Sequence, residues 1–98
     1  MSSAGSKVSE KFSKKAIKDG SIIIDNTSHF RMEKNVPLIV PEVNPHHLKN
    51  HKNIISNPNC STIQLVLALK DIHAKYRVKR IVVSTYQAVS GAGKAAMD

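Results

Sequence analysis

Val8-Ser9-Glu10-Lys11-Phe12-Ser13-Lys14-Lys15-Ala16-Ile17-Lys18-Asp19-Gly20-Ser21-Ile22-Ile23-Ile24-Asp25 spells out one structural unit in a single line. Val8, Phe12 and Ala16 fall four apart with Ile17 beside them, which predicts a basic helix over 8–18 with one apolar stripe. Asp19-Gly20 supplies the stop, since glycine readily takes the left-handed backbone that ends helices. Residues 21–25 form a run dominated by isoleucine, the pattern of a strand covered on both faces. Helix, tight glycine turn and buried strand make an α/β unit of the parallel-sheet kind. The polar turn Asn26-Thr27-Ser28 follows the carboxyl end of that strand, where open α/β sheets place ligands.

Downstream come two short apolar runs, 36–40 and 53–56, separated by the His- and Lys-rich segment 44–52, which reads as exposed. Pro37, Pro41, Pro45 and Pro58 forbid a long helix here. Residues 61–76 give the strongest helix pattern. Ile63, Leu65, Val66, Leu67, Leu69 and Ile72 are apolar around much of its circumference, so it is expected to be largely buried, with His73 as a core or boundary residue. Residues 80–85 read as another strand, and Ser90-Gly91-Ala92-Gly93 as a turn into a helix that has only begun at Lys94-Ala95-Ala96-Met97. No repeat is visible, and both ends read as cut from a longer protein.

Composition narrows the function classes. Ninety-eight residues allow at most one small domain's worth of core, and only four are aromatic. No uninterrupted apolar stretch approaches membrane-span length, and the N-terminus lacks the apolar region of a secretory signal, so a cytoplasmic protein without membrane contact is expected. The formal charge of +8 comes from 15 Lys and Arg against 7 Asp and Glu, but the basic residues are scattered and no nucleic-acid-reading motif accompanies them. Solvated surface lysines explain the charge better than a nucleic-acid partner. His47 and His51 are four apart, yet they follow Pro45 with no neighbouring Glu or Cys, so no metal site is expected.

The single cysteine cannot form an internal disulfide. It sits in Asn57-Pro58-Asn59-Cys60-Ser61-Thr62, between a strand and the long helix. Asn59, Ser61 and Thr62 can satisfy the free backbone donors of a helix start. Cys60 is then at a helix N-terminus, where unpaired N–H groups and aligned peptide dipoles favour a thiolate and could hold a developing oxyanion. Placement alone leaves two readings open, an inert space-filling cysteine and a nucleophile.

Three motifs together carry a resemblance: Asp25-Asn26-Thr27-Ser28-His29-Phe30-Arg31, Asn57-Pro58-Asn59-Cys60-Ser61-Thr62 and Ser84-Thr85-Tyr86-Gln87-Ala88-Val89-Ser90-Gly91-Ala92-Gly93. Their order and intervals, with Cys60 29 residues after Arg31 and 27 before Gln87, resemble the aspartate-semialdehyde dehydrogenase family over essentially the whole chain, Pro41-Glu42-Val43-Asn44 included. The resemblance implies an α/β chain holding the end of a Rossmann-like nucleotide-binding domain (1–58) and the start of an α+β catalytic and dimerisation domain (59–98). It implies a homodimeric parent enzyme that makes aspartate semialdehyde from β-aspartyl phosphate with NADPH, in lysine, threonine and methionine biosynthesis.

Residue by residue, Cys60 matches the nucleophile that forms a thioacyl intermediate, and Asn59 a residue near the phosphate and acyl oxygen. Arg31 matches the arginine that binds phosphate, a task its planar fork of donors suits. Gln87 matches a substrate-contacting glutamine. Ser90, Gly91, Ala92 and Gly93 match the turn against the nicotinamide half of NADP, and Ser3, Ala4 and Gly5 resemble a second turn facing the cofactor. The chain departs from the family at His29, where a small residue is usual. The family's glycine-rich pyrophosphate turn has no counterpart among Gly5, Gly20, Gly91 and Gly93, and neither its general-base histidine nor its carboxylate-binding arginine has one here. The isolated chain is therefore expected to be inactive. Two alternatives are a related N-acetyl-glutamyl-phosphate reductase, which prefers Gly before the cysteine and an aromatic after it, and a non-catalytic basic nucleic-acid-binding module.

Overall fold

The computed structural model describes residues 1–98, apart from the surroundings of Ala95. Two short strands, β1 (Ile23–Asp25) and β2 (Ile54–Ser56), pair in parallel with Ile23 opposite Ile54 and Asp25 opposite Ser56. Single parallel bridges extend the sheet on either side, Ser2 to Asp25 and Leu38 to Ser56. The spatial order is thus Ser2, β1, β2, Leu38, and every segment runs the same way. Parallel neighbours need crossovers, and the first is the helix α1 (Ser6–Lys18), which carries the chain from Ser2 to β1. The α/β reading with a parallel sheet agrees with this architecture.

The helix packs by a different face from the one its apolar stripe predicts. Ser9 and Ser13 are buried at 2% and 4% exposure, whereas Val8 and Phe12 are 39% and 53% exposed. What draws Ser9 inward is the carboxylate of Asp25, which is fully buried at the end of β1. Ser9 Oγ donates to Asp25 Oδ1 at 2.8 Å, Thr27 Oγ1 donates to Oδ2 at 2.8 Å, and the Thr27 backbone N–H reaches Oδ1 at 3.2 Å. Since Ser9 spends its one proton on Asp25, Ser2 is the donor in the 2.6 Å contact between the Ser2 and Ser9 hydroxyls. Ser13 Oγ donates to the Ser9 carbonyl. A buried carboxylate is costly unless hydrogen-bonded, so this cluster overrides the weaker preference of Val8 and Phe12 for burial.

Three other expectations are corrected. β1 is covered on one side only, with Ile23 buried and Ile24 43% exposed, because α1 covers one face and nothing among the described residues covers the other. The long helix α2 (Cys60–Tyr76) forms where the pattern predicts, but none of its residues is buried, and Leu67 and Ile72 are 45% and 49% exposed. Along its middle and last turns Val43, Val78 and Ile81 form an open groove with Val66, Leu69 and His73, and His73 is exposed rather than in a core. Residues 80–85 form no strand, because nothing among the described residues pairs with them, and Val82 is 80% exposed. With extents of 44 × 40 × 18 Å the molecule is a slab, and among the described residues Ile23, Ile39 and Val40 form its core, with Pro58 also buried. Two 3-10 turns, Pro45–Asn50 and Val89–Ala92, and a short helix, α3 (Lys94–Met97), complete it.

The exchange of faces on α1 is measurable. In urea unfolding, Ser9→Ala removes a donor from buried Asp25 and is expected to cost about 1–3 kcal/mol. Val8→Ala, at an exposed position, is expected to cost less than about 0.5 kcal/mol. The reverse ranking would restore the apolar stripe as the packing face.

Candidate active site

Three chain segments leave the sheet at its carboxyl edge: residues 3–5 after the Ser2 bridge, 26–31 after β1, and 57–60 after β2. Cross-ties hold them together. The Asn57 N–H donates to the Asp25 carbonyl at 2.8 Å, and the Asn26 N–H to the Ser2 carbonyl at 2.8 Å. The hydroxyls of Ser6 and Ser28 meet at 3.1 Å, joining the start of α1 to the turn after β1.

Arg31 stands at the end of that turn and reaches back across the edge. Its Nε donates to the Asn57 carbonyl at 2.8 Å and Nη2 to the Asn26 carbonyl at 3.1 Å. The guanidinium has five N–H donors, so these two bonds fix its plane while leaving donors for an anion. It is fastened to the backbone three residues ahead of Cys60.

Cys60 is the first residue of α2 and is exposed. Asn59 caps the helix: with φ −60° and ψ 149°, its Oδ1 accepts the Ser61 N–H at 3.0 Å and the Ser61 hydroxyl at 2.6 Å. The Cys60 thiol lies 3.9 Å from the same oxygen. Accepting a backbone N–H identifies that atom as the amide oxygen, so Asn59 has its Nδ2 hydrogens to offer a ligand. Pro58 is buried and holds the approach to the cap. The helix start thus presents a sulfur, an amide donor and unpaired backbone N–H groups in one place.

Beside this cap is a cavity of about 390 Å³ lined by Asn59, Cys60, Ser61 and Thr62 from the helix start and by Thr85, Tyr86 and Gln87 from the later segment. Gln87, predicted from sequence, therefore lines the same cavity as Cys60 even though the strand expected just before it, over 80–85, does not form. Behind it, a Cβ at Gly91 would come within 2.8 Å of Gln87 Nε2, so glycine lets the Ser90–Gly93 turn close on the glutamine side chain. Ser3, Ala4 and Gly5 share the carboxyl edge but not this cavity. Gly5 has φ +102° with open space around it, and precedes α1.

The cavity lining adds Thr85 and Tyr86 to the residues singled out by sequence, and gives Ser61 and Thr62, read there as helix-start residues, a place on its wall. The support from Asp25, Ser9 and Thr27 was also unforeseen. A signal for it exists in Ser9 and Ser13, a polar pair four apart on the same helix, followed by an aspartate closing an isoleucine run.

Comparison with known proteins gives the site a context. Residues 1–51 match the family described as semialdehyde dehydrogenase, NAD binding domain, and residues 69–98 match its dimerisation domain. The chain is 60% identical over 98 residues to the aspartate-semialdehyde dehydrogenase of Campylobacter jejuni, covering 98% of this chain and 29% of that protein. It is 57% identical over 95 residues to that of Bacillus subtilis, covering 97% of this chain and 28% of the relative. The crystal structure of aspartate semialdehyde dehydrogenase II from Vibrio cholerae superposes with a TM-score of 0.86 at 53% identity, over 98% of this chain and 29% of that one. A second crystal structure of that enzyme, complexed with ASA, gives 0.87 at 53% identity over 93% and 30%. The chain thus spans less than a third of the length of these relatives. With residues 1–51, more than half of the chain, matched to one domain of the family and residues 69–98 matched in order to the second, the chain belongs to the semialdehyde dehydrogenase family.

Proposed function

We propose that a protein of the relatives' full length carrying this sequence converts β-aspartyl phosphate to aspartate semialdehyde through a thioester on Cys60, and that residues 1–98 alone do not turn over. The observation that carries this reading is that Cys60, Asn59 and Gln87 line one cavity, next to a loop whose backbone Arg31 grips.

Each residue has a task that suits its chemistry. The Cys60 thiolate attacks the acyl carbon, and phosphate leaves as the carbon–sulfur bond forms, which divides one difficult step into two easier ones. Backbone N–H groups at the start of α2, with Asn59 Nδ2, stabilise the charge that gathers on the acyl oxygen. Arg31 holds the phosphoryl oxygens with its remaining donors. Gln87, backed by Gly91, orients the substrate at the reacting carbon. When bound, NADPH would supply the hydride that reduces the thioester, and loss of the aldehyde would return Cys60 to its thiolate.

The cofactor's nicotinamide half fits the residues present. Gly5 and Gly93 have φ of +102° and +93° and would carry a Cβ into open space, so backbone at both turns is accessible to a flat ring. Ser3, Ala4 and Gly5 on one side and Ser90, Gly91, Ala92 and Gly93 on the other are the groups that would hold it. We put the passage from nucleotide-binding to catalytic domain between Pro58 and Asn59; the change from strand to helix there, with β2 ending at Ser56 and α2 starting at Cys60, supports that reading. The match of residues 69–98 to a dimerisation domain supports a homodimer.

In a full-length protein assayed with aspartate semialdehyde, phosphate and NADP, Cys60→Ser is expected to lower kcat by at least about 10³-fold, as loss of a covalent nucleophile does. Retention of most activity would remove Cys60 from the chemistry. Arg31→Lys keeps the charge but loses the fork, so phosphate KM is expected to rise about tenfold with the semialdehyde KM little changed. An unchanged phosphate KM would take Arg31 out of the phosphate site.

A further inference from the structure

Asp25 is buried, ionisable and without a part in the chemistry described so far. Its carboxylate is 0% exposed and accepts hydrogen bonds from Ser9 and Thr27, all from neutral donors. We propose that Asp25 is a positioning residue that aims Arg31 at the phosphate group, acting through Thr27 and the backbone of Asn57. This inference rests on the phosphate-binding role given to Arg31 above.

The bonds form a closed ring. From the Asp25 side chain it passes to Thr27, whose hydroxyl oxygen accepts the His29 N–H at 3.3 Å. The turn continues with the Arg31 N–H donating to the Ser28 carbonyl at 3.4 Å. The guanidinium then crosses to the Asn26 and Asn57 carbonyls, and the Asn57 N–H returns to the Asp25 carbonyl at 2.8 Å.

Asp25 thus holds both things whose relative placement decides where Arg31 points: the turn that carries the arginine and the loop that it grips. A carboxylate accepts and never donates while ionised, so it fixes the Thr27 N–H and O–H inward in one arrangement. Packing alone does not demand this, since the strand could end on an apolar residue without the cost of a buried charge. Displacing an oriented binding group by a fraction of an ångström to 1 Å is enough to be seen in kinetics.

The test uses the full-length enzyme with Asp25→Asn, Thr27→Val, Thr27→Ser and Arg31→Lys, measuring KM for phosphate and for aspartate semialdehyde separately. Asp25→Asn and Thr27→Val are expected to raise phosphate KM about tenfold while the semialdehyde KM stays within about twofold. Thr27→Ser, which returns the hydroxyl, is expected to bring phosphate KM back to within about twofold of the parent value. If Asp25→Asn fails to fold, Thr27→Val carries the same reading. Equal rises in both KM values, or an unchanged phosphate KM in Thr27→Val while Arg31→Lys raises it, overturn the positioning role and leave Arg31 as the phosphate ligand. An unchanged phosphate KM in Arg31→Lys overturns both.

Discussion

Burying one carboxylate at the end of a strand imposes a demand that the surrounding chain is built to meet. Asp25 must collect donors, and it takes them from α1 through Ser9 and from the following turn through Thr27. Meeting that demand docks the crossover helix by its serine face and turns the chain sharply after β1. The same residue's carbonyl receives Asn57, so the exit of β2 is tied to the exit of β1. Secondary structure contributes little else, since each strand is only three residues long. The carboxyl edge is held by side-chain and loop hydrogen bonds more than by a ladder.

From that edge the reactive group follows by a short route. β2 ends at Ser56, buried Pro58 directs the loop, and the Asn59 amide oxygen closes the first turn of α2. Cys60 then has no freedom to be anywhere but at the start of the helix. Its sulfur is exposed beside a cavity, with peptide N–H groups and the positive end of the helix dipole around it. In the proposed reaction the sulfur takes the acyl carbon, the amide donors take its oxygen, and the guanidinium takes the departing phosphate.

What the sequence disclosed and what it concealed divide along physical lines. Local chemistry was legible: the glycine stop after α1, the asparagine cap ahead of Cys60, and the long helix over 61–76 all depend on neighbours in the chain. The order and spacing of the motifs around Arg31, Cys60 and Gln87 carried the family. Burial was not legible in the same way. Val8 and Phe12 form a convincing apolar stripe, but the cost of an unsatisfied Asp25 outweighs it, and that cost appears only when β1 and α1 meet. The isoleucine and valine run at 81–83 has strand composition, but a strand exists only against a partner, and none of the described residues provides one. The exposed leucines of α2 have the same origin, for a helix that is apolar on several sides needs more than the layer found here.

In the proposed reaction the Cys60 sulfur becomes covalently attached to the acyl group. Full-length protein mixed with β-aspartyl phosphate without NADPH, acid-quenched and digested, tests it by mass spectrometry of the peptide containing residues 57–62. The expected result is a peptide heavier by one aspartyl acyl group, attached at Cys60 and released when NADPH is added before the quench. An unmodified Cys60 in a preparation that turns over normally, or the acyl group found on another residue, would contradict it.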